Sequence, residues 1–168
     1  MRDVEHCRPG SLEEASEMLR TLGPGAVVYA GGTDVIPRMK LGKMSPTHLV
    51  NIKRIPGLDR LAFDGRTLSI GTLVKFNEII FSPAVREHMP VLAEVSRMIA
   101  TPQVRNLATV GGNLCNAAPS ADIAPILIAL GARATIHTPE GRKTMALEDF
   151  FKGPGKTALA PGEMLVSV

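Results

Sequence analysis

The alternation of apolar and polar positions divides the first fifty residues into strand, helix, strand, helix and strand. A short strand is predicted over residues 3–8. Leu12, Ala15, Leu19 and Leu22 then recur at near-helical spacing. Before them, Ser11-Leu12-Glu13-Glu14 has the form of a capping box, in which the Ser and Glu side chains satisfy each other's unpaired amides. Gly23-Pro24-Gly25 stops this helix, and Val27-Val28-Tyr29-Ala30 predicts a strand over 26–30. Asp34-Val35-Ile36-Pro37 reads as the next helix start, with Asp34 as N-cap and Pro37 in the first turn, where amides are free. His48-Leu49-Val50-Asn51-Ile52 completes a β-α-β-α-β unit of the length expected of a small parallel sheet.

Beyond Ile55-Pro56-Gly57 the pattern changes to hairpins and helices. Residues 60–63 and 67–71 flank Asp64-Gly65, and residues 132–138 and 143–146 flank Pro139-Glu140-Gly141, which predicts an antiparallel second subdomain. Residues 75–81, 90–100 and 123–130 read as helices, the last opened by Asp122-Ile123-Ala124-Pro125. An Asp-x-x-Pro start thus occurs twice, each time shortly after a glycine doublet.

Those doublets, Ala30-Gly31-Gly32-Thr33-Asp34 and Thr109-Val110-Gly111-Gly112-Asn113, are the main candidates for chemistry. A glycine pair ending a strand permits positive φ and admits a ligand to the main chain, and amides beside a helix start favour an anion such as a pyrophosphate. Either doublet could equally be a plain tight turn. Asp122 can cap its helix, accept from a ribose hydroxyl, or do both, and Thr109 and Asn113 can contact a ligand or brace their turn. Arg105 and Asn106 can anchor the loop before the second doublet, and read as solvated or loop-bracing residues rather than ligand contacts.

Composition narrows the classes. The 168 residues are 45% hydrophobic and 21% charged, as expected of a globular chain, and no apolar run approaches a membrane span. The opening residues lack the apolar segment of a secretory signal, so a cytoplasmic location is expected. A net charge of +3 is too diffuse to argue for nucleic acid, and 4% aromatic residues leave no stacking platform for a single strand. Cys7 and Cys115 lack partners at zinc spacing, so no metal site is expected. The third glycine of G-x-G-x-x-G is absent, and Gly155-Lys156-Thr157 lacks the glycine a Walker loop needs at Phe150. No nucleophile with a nearby base is evident, so any catalysis is expected to rest on a cofactor, with no catalytic side chain.

The motifs together resemble a known family. Ala30 to Asp34, Gln103-Val104-Arg105-Asn106 leading to Thr109 to Asn113, and Asn116-Ala117-Ala118-Pro119-Ser120-Ala121-Asp122 are similar to the signature of the molybdopterin dehydrogenase FAD-binding domain. This is the flavin module of xanthine dehydrogenases and aerobic carbon monoxide dehydrogenases. Ser11 to Ala15 and Gly162-Glu163-Met164-Leu165-Val166 extend the match over essentially the whole chain.

The resemblance implies an α+β fold of two subdomains. One is a small N-terminal parallel β-α-β unit (about 1–54), the other a larger, mainly antiparallel sheet with helices (about 55–168). FAD would lie between them, with its pyrophosphate on the turn formed by Ala30, Gly31, Gly32, Thr33, Asp34 and Val35. A second contact would come from Thr109, Val110, Gly111, Gly112 and Asn113. Asp122 would be a polar contact, Ile99 an apolar neighbour and Leu165 a main-chain contact. A molybdopterin-binding large subunit and a 2Fe-2S small subunit would be the partners, with electrons passing through FAD to NAD, quinone or oxygen. Family members continue past a segment like Leu165 to Val168 into a C-terminal domain, so this reading expects that domain to be absent, weak FAD binding by the chain alone, and self-association. The alternative is a nucleotide-binding or assembly module without redox function. A flavin reductase of enolpyruvyl sugar nucleotides is disfavoured by the 103–113 and 116–122 segments.

Overall fold

In the computed structural model, which describes residues 3–168, the chain opens with β1 (Glu5–Cys7), α1 (Leu12–Leu22), β2 (Ala26–Tyr29), α2 (Val35–Lys40) and β3 (His48–Asn51). The strands form a parallel sheet in the order β1-β3-β2. Parallel pairing requires crossovers, which α1 and α2 supply. The central place of β3 buries Leu49 and Val50.

Two helix starts depart from the sequence reading. In α1 the Glu14 amide donates to Ser11 Oγ (3.1 Å), as a capping box requires, but Glu14 Oε2 accepts from the Gly10 amide (2.7 Å) rather than from that of Ser11. Gly10 has no side chain to keep the longer Glu arm away. In α2, Asp34 stands at the N-cap position without capping through its side chain. Its backbone is already helical (φ −103°, ψ −46°). The Ile36 amide bonds the Gly32 carbonyl (3.1 Å), so the helical turn begins at Gly32, whose φ of +74° suits glycine.

The second half begins with the hairpin of β4 (Leu61–Phe63) and β5 (Leu68–Ile70), closed by Asp64, whose carboxylate accepts from the Arg66 and Thr67 amides. Six helices follow: α3 (Phe76–Phe81), α4 (Pro83–His88), α5 (Pro90–Met98), α6 (Pro102–Arg105), α7 (Val110–Asn116) and α8 (Ile123–Ala129). Next come β6 (Arg133–Thr138), β7 (Gly141–Ala146), α9 (Leu147–Phe150), β8 (Phe151–Gly153), β9 (Lys156–Thr157) and β10 (Met164–Ser167), with an antiparallel sheet ordered β10-β6-β7. Among the described residues no helix is long and apolar enough to cross a membrane.

The apolar spacing does not reveal α4, α6 and α7. Short helices α4 and α6 are set by Ser82 and Thr101, each a side-chain cap followed by proline. The larger correction is α7, because Gly111 and Gly112 form its first turn and neither has positive φ. Thr109 is the cap, its Oγ1 accepting from the Gly112 amide (3.1 Å). Glycine costs a helix roughly 1 kcal/mol relative to alanine. It is required here because a Cβ on Gly111 would sit 1.7 Å from Thr72 Oγ1. Asp122, like Asp34, makes no capping bond and has helical backbone (φ −76°, ψ −28°).

Two apolar cores share β10. One gathers Val74, Phe76, Ile79, Leu114, Ile123, Ile136 and Phe150. The other lies under the parallel sheet, where Leu12, Ala15, Val50 and Ile52 are completed by residues beyond 54, namely Ile55, Leu58, Leu73, Met164 and Val166. Strand alternation explains the sharing, since Leu165 joins the first core while Met164 and Val166 join the second. Hydrogen bonds fix the strand and its approach in place: the Thr72 amide donates to the Val166 carbonyl (2.8 Å), and the Ser16 hydroxyl to the carbonyl of Gly162 just before β10 (2.6 Å).

Candidate functional site

A cleft of about 550 Å³ is lined from both halves of the chain. Cofactor and small-molecule sites commonly enclose about 300–1,000 Å³. The loop after β2 brings Ala30, Gly31, Gly32, Thr33, Asp34 and Val35 to one side, and Thr109, Gly111, Gly112 and Asn113 of the α7 start face it, with Ile99 and Leu165 in the walls. Two sequence candidates lie outside the lining. Val110 is turned into the core at 1% exposure, and Asp122 is exposed at the start of α8.

The two glycine segments meet through backbone. A Cβ on Gly31 would lie 2.1 Å from the Leu107 carbonyl oxygen, and one on Gly32 would lie 2.5 Å from the Tyr29 ring. The Val110 and Gly111 amides donate to the Val74 and Thr72 carbonyls (2.9 and 3.0 Å), so α7 is held from behind while its first turn faces the cleft. Among the described residues the Thr33, Asp34 and Val35 amides have no protein acceptor, as expected of a first helical turn. Asn113 Oδ1 is buried in the lining without a partner. A buried, unpaired acceptor carries a desolvation cost that a ligand N–H or O–H would relieve.

The lining also holds residues the sequence did not single out. Arg38 follows Asp34 by four positions and therefore shares its helix face, which is the signal that could have found it. Its Nη1 reaches Asn116 Oδ1 (3.5 Å), linking α2 to α7 across the cleft. Thr72, Phe76, Ala100 and Leu159 enter the lining through tertiary packing and had no local signal. Cys115 is half-buried there, and burial pushes its thiol up to about 12, so it stays protonated and unreactive.

Glu163 is the buried acid of the lining, with its side chain 9% exposed. Burial by itself would raise its pKa, but the Ala160 amide (2.8 Å) and the Lys143 ammonium more than offset this and hold the carboxyl below its ordinary value. A depressed pKa stabilises the fold above the unfolded value, and that stabilisation is lost as pH falls through the folded value. The stability gap between the native protein and Glu163→Gln is therefore expected to be largest near neutral pH and to close below the ordinary carboxylate range, about pH 4. Urea midpoints of both proteins across this range check it, and a constant gap would contradict the assignment.

Comparison with known proteins decides the family. The family described as FAD binding domain in molybdopterin dehydrogenase matches residues 2–168. The chain belongs to this family. It is 38% identical over 164 residues to the carbon monoxide dehydrogenase medium chain of Hydrogenophaga pseudoflava, covering 98% of this chain and 57% of the relative. To the putative xanthine dehydrogenase FAD-binding subunit of Escherichia coli it is 38% identical over 162 residues, 95% of this chain and 55% of the relative. A solved carbon monoxide dehydrogenase from Hydrogenophaga pseudoflava, lacking the Mo-pyranopterin moiety, superposes at a TM-score of 0.96 with 38% identity, over 99% of this chain and 58% of that one. Quinoline 2-oxidoreductase from Pseudomonas putida 86 superposes at 0.94 with 30% identity, over 99% and 58%. The FAD-binding domain described here thus spans a little over half the length of these relatives.

The residues present fit the family's cofactor. Free amides after β2 offer donors to a pyrophosphate, whereas the Val110, Gly111 and Gly112 amides of α7 are already taken by Val74, Thr72 and Thr109. Apolar walls at Ile99, Phe76 and Leu165 accommodate rings, and the unpartnered Asn113 Oδ1 offers an acceptor.

Proposed function

We propose that this domain holds FAD in an extended pose across the cleft and serves as the electron-transfer module of a molybdenum hydroxylase. In this reading it works beside a molybdopterin-binding large subunit and a 2Fe-2S subunit, with NAD, quinone or oxygen as final acceptor. The observation that carries it is the facing of two glycine segments across one cleft, with free amides at Thr33, Asp34 and Val35 on one side and a buried, unpaired Asn113 Oδ1 on the other. Bound FAD supplies a redox centre that takes up and releases electrons.

The chain's own residues bind and orient. Thr33 to Val35 present N–H donors to a diphosphate, and the glycines at 31, 32, 111 and 112 let the two segments pack closely enough to frame the cleft. Arg38 adds a cation at the rim, while Lys143 occupies Glu163 and so limits repulsion of an anionic ligand. Ile99 and Leu165 exclude water from the apolar part. Asp122 lies outside the cleft lining, at the start of α8, and the cleft geometry lends its cofactor contact no support.

A ligand series tests the assignment. FAD is expected to bind the full chain stoichiometrically and at least about tenfold more tightly than riboflavin, about 1.4 kcal/mol, because riboflavin lacks the diphosphate. Flavin fluorescence titration measures both. Equal affinities would remove the pyrophosphate assignment, and absence of FAD binding would remove the cofactor.

A further inference from the structure

Among the described residues two non-glycine residues have positive φ, Ala100 (+45°) and Ala117 (+47°), and both lie at the C-terminal ends of helices beside the cleft. Ala100 follows Ile99, the C-cap of α5, at the position where helices ordinarily place glycine. Left-handed backbone costs an alanine free energy, so the surroundings must hold it. Arg105 does so. Its Nη1 donates to the carbonyls of Arg97 (3.0 Å), Ile99 (2.7 Å) and Ala100 (3.0 Å). Thr101 makes the reach possible, because its Oγ1 accepts from the Val104 amide and turns α6 back toward the end of α5. The contact places a guanidinium at the negative end of the α5 dipole, where unpaired carbonyls collect.

The corner thus held is a wall of the cleft, since Ile99, Ala100 and Val104 all line it, whereas Arg105 itself does not. We infer that Arg105 is a positioning residue for cofactor binding: by clamping the carbonyls of Arg97, Ile99 and Ala100 it fixes the left-handed corner that sets the Ile99 and Ala100 side chains in the cleft wall. A simple helix cap would stabilise α5 without need of a strained alanine beside it. The inference rests on the FAD reading for its binding consequence, but the clamp is measurable without any ligand.

The test uses the full chain as native protein, Arg105→Ala, Arg105→Ala with Ala100→Gly, and Ile136→Val as a core control outside the lining. Hydrogen exchange of the amides between residues 98 and 105 reads the clamp, and FAD titration reads its consequence. Arg105→Ala is expected to speed exchange in that segment at least tenfold and to weaken FAD binding about tenfold. Ala100→Gly in the same chain is expected to recover at least half of the lost affinity on a logarithmic scale, because glycine adopts the corner without strain. Ile136→Val is expected to lower thermal stability with FAD affinity within twofold of native. Unchanged exchange in Arg105→Ala would overturn the clamp. Faster exchange with unchanged FAD affinity, an affinity loss matched by Ile136→Val, or no recovery with glycine would overturn the positioning role. If the native chain binds no FAD, the cofactor reading fails separately, and the exchange result still decides whether Arg105 holds the corner.

Discussion

Replacing Gly31 by alanine is expected to lower stability by about 3 kcal/mol, near the upper end of ordinary overpacking, and to weaken FAD binding more than tenfold. The new methyl would fall 2.1 Å from the Leu107 carbonyl oxygen and 3.2 Å from the Ala108 Cα. Those are backbone atoms of the segment whose Ala108 carbonyl accepts from the Phe76 amide (3.3 Å), so neither side can turn away as a rotamer would. Gly31 does not have positive φ, which leaves steric contact as the whole cause. Accommodating the methyl separates the turn after β2 from the α7 start, and that spacing defines the cleft. Urea denaturation and FAD titration measure the two effects. A variant of native stability would show that the segments do not pack as described, and a destabilised variant with native FAD affinity would show that their spacing is not what the ligand reads.

Phe76→Ala is expected to be more costly still, about 3–5 kcal/mol, the usual range for removing a buried phenylalanine. Phe76 is 0% exposed, belongs to the larger core and also lines the cleft. Its helix start cannot shift to compensate, because the Lys75 amide donates to Glu78 Oε2 (2.7 Å) and the Phe76 amide to the Ala108 carbonyl. Collapse is therefore limited, and a cavity beside the cleft remains. The urea midpoint should fall with little change in slope, and Phe76→Leu should recover most of the loss. A cost below about 1 kcal/mol would mean that the site relaxes freely, contrary to the fixed helix start.

Much of this architecture is legible in local pattern because local physics decides it. The near-helical spacing of Leu12, Ala15, Leu19 and Leu22 and the Gly23-Pro24-Gly25 stop bound α1 at Leu12–Leu22. The Asp64-Gly65 and Pro139-Glu140-Gly141 turns mark the β4-β5 and β6-β7 hairpins. Asp34 and Asp122 stand at the N-cap positions of their helices, yet neither side chain makes a capping bond, because the Asp-x-x-Pro pattern marks a helix start without saying which atom closes it. For α2 the Gly32 carbonyl accepts the first helical bond. The α7 start is hidden for a different reason. Two glycines have poor helix propensity, and only the Thr72 hydroxyl packed against Gly111 and the Thr109 hydroxyl against Gly112 explain why they are there.

The sequence by itself determined the hairpins, the longer helices, the strand-helix alternation of the opening unit and the presence of two glycine segments, since each element is set by residues within about ten positions of one another. Only the tertiary structure decided that these segments form opposite sides of one cleft, that Thr72, Phe76, Arg38 and Leu159 join them, and that β10 gives Leu165 to one core and Met164 and Val166 to the other. It alone placed Arg105 on the end of α5 and left Asp122 outside the lining. The physical reason is that propensity and periodicity act along the chain, whereas the cleft and the cores behind it are made by excluded volume and hydrogen bonds between segments as far as 146 positions apart.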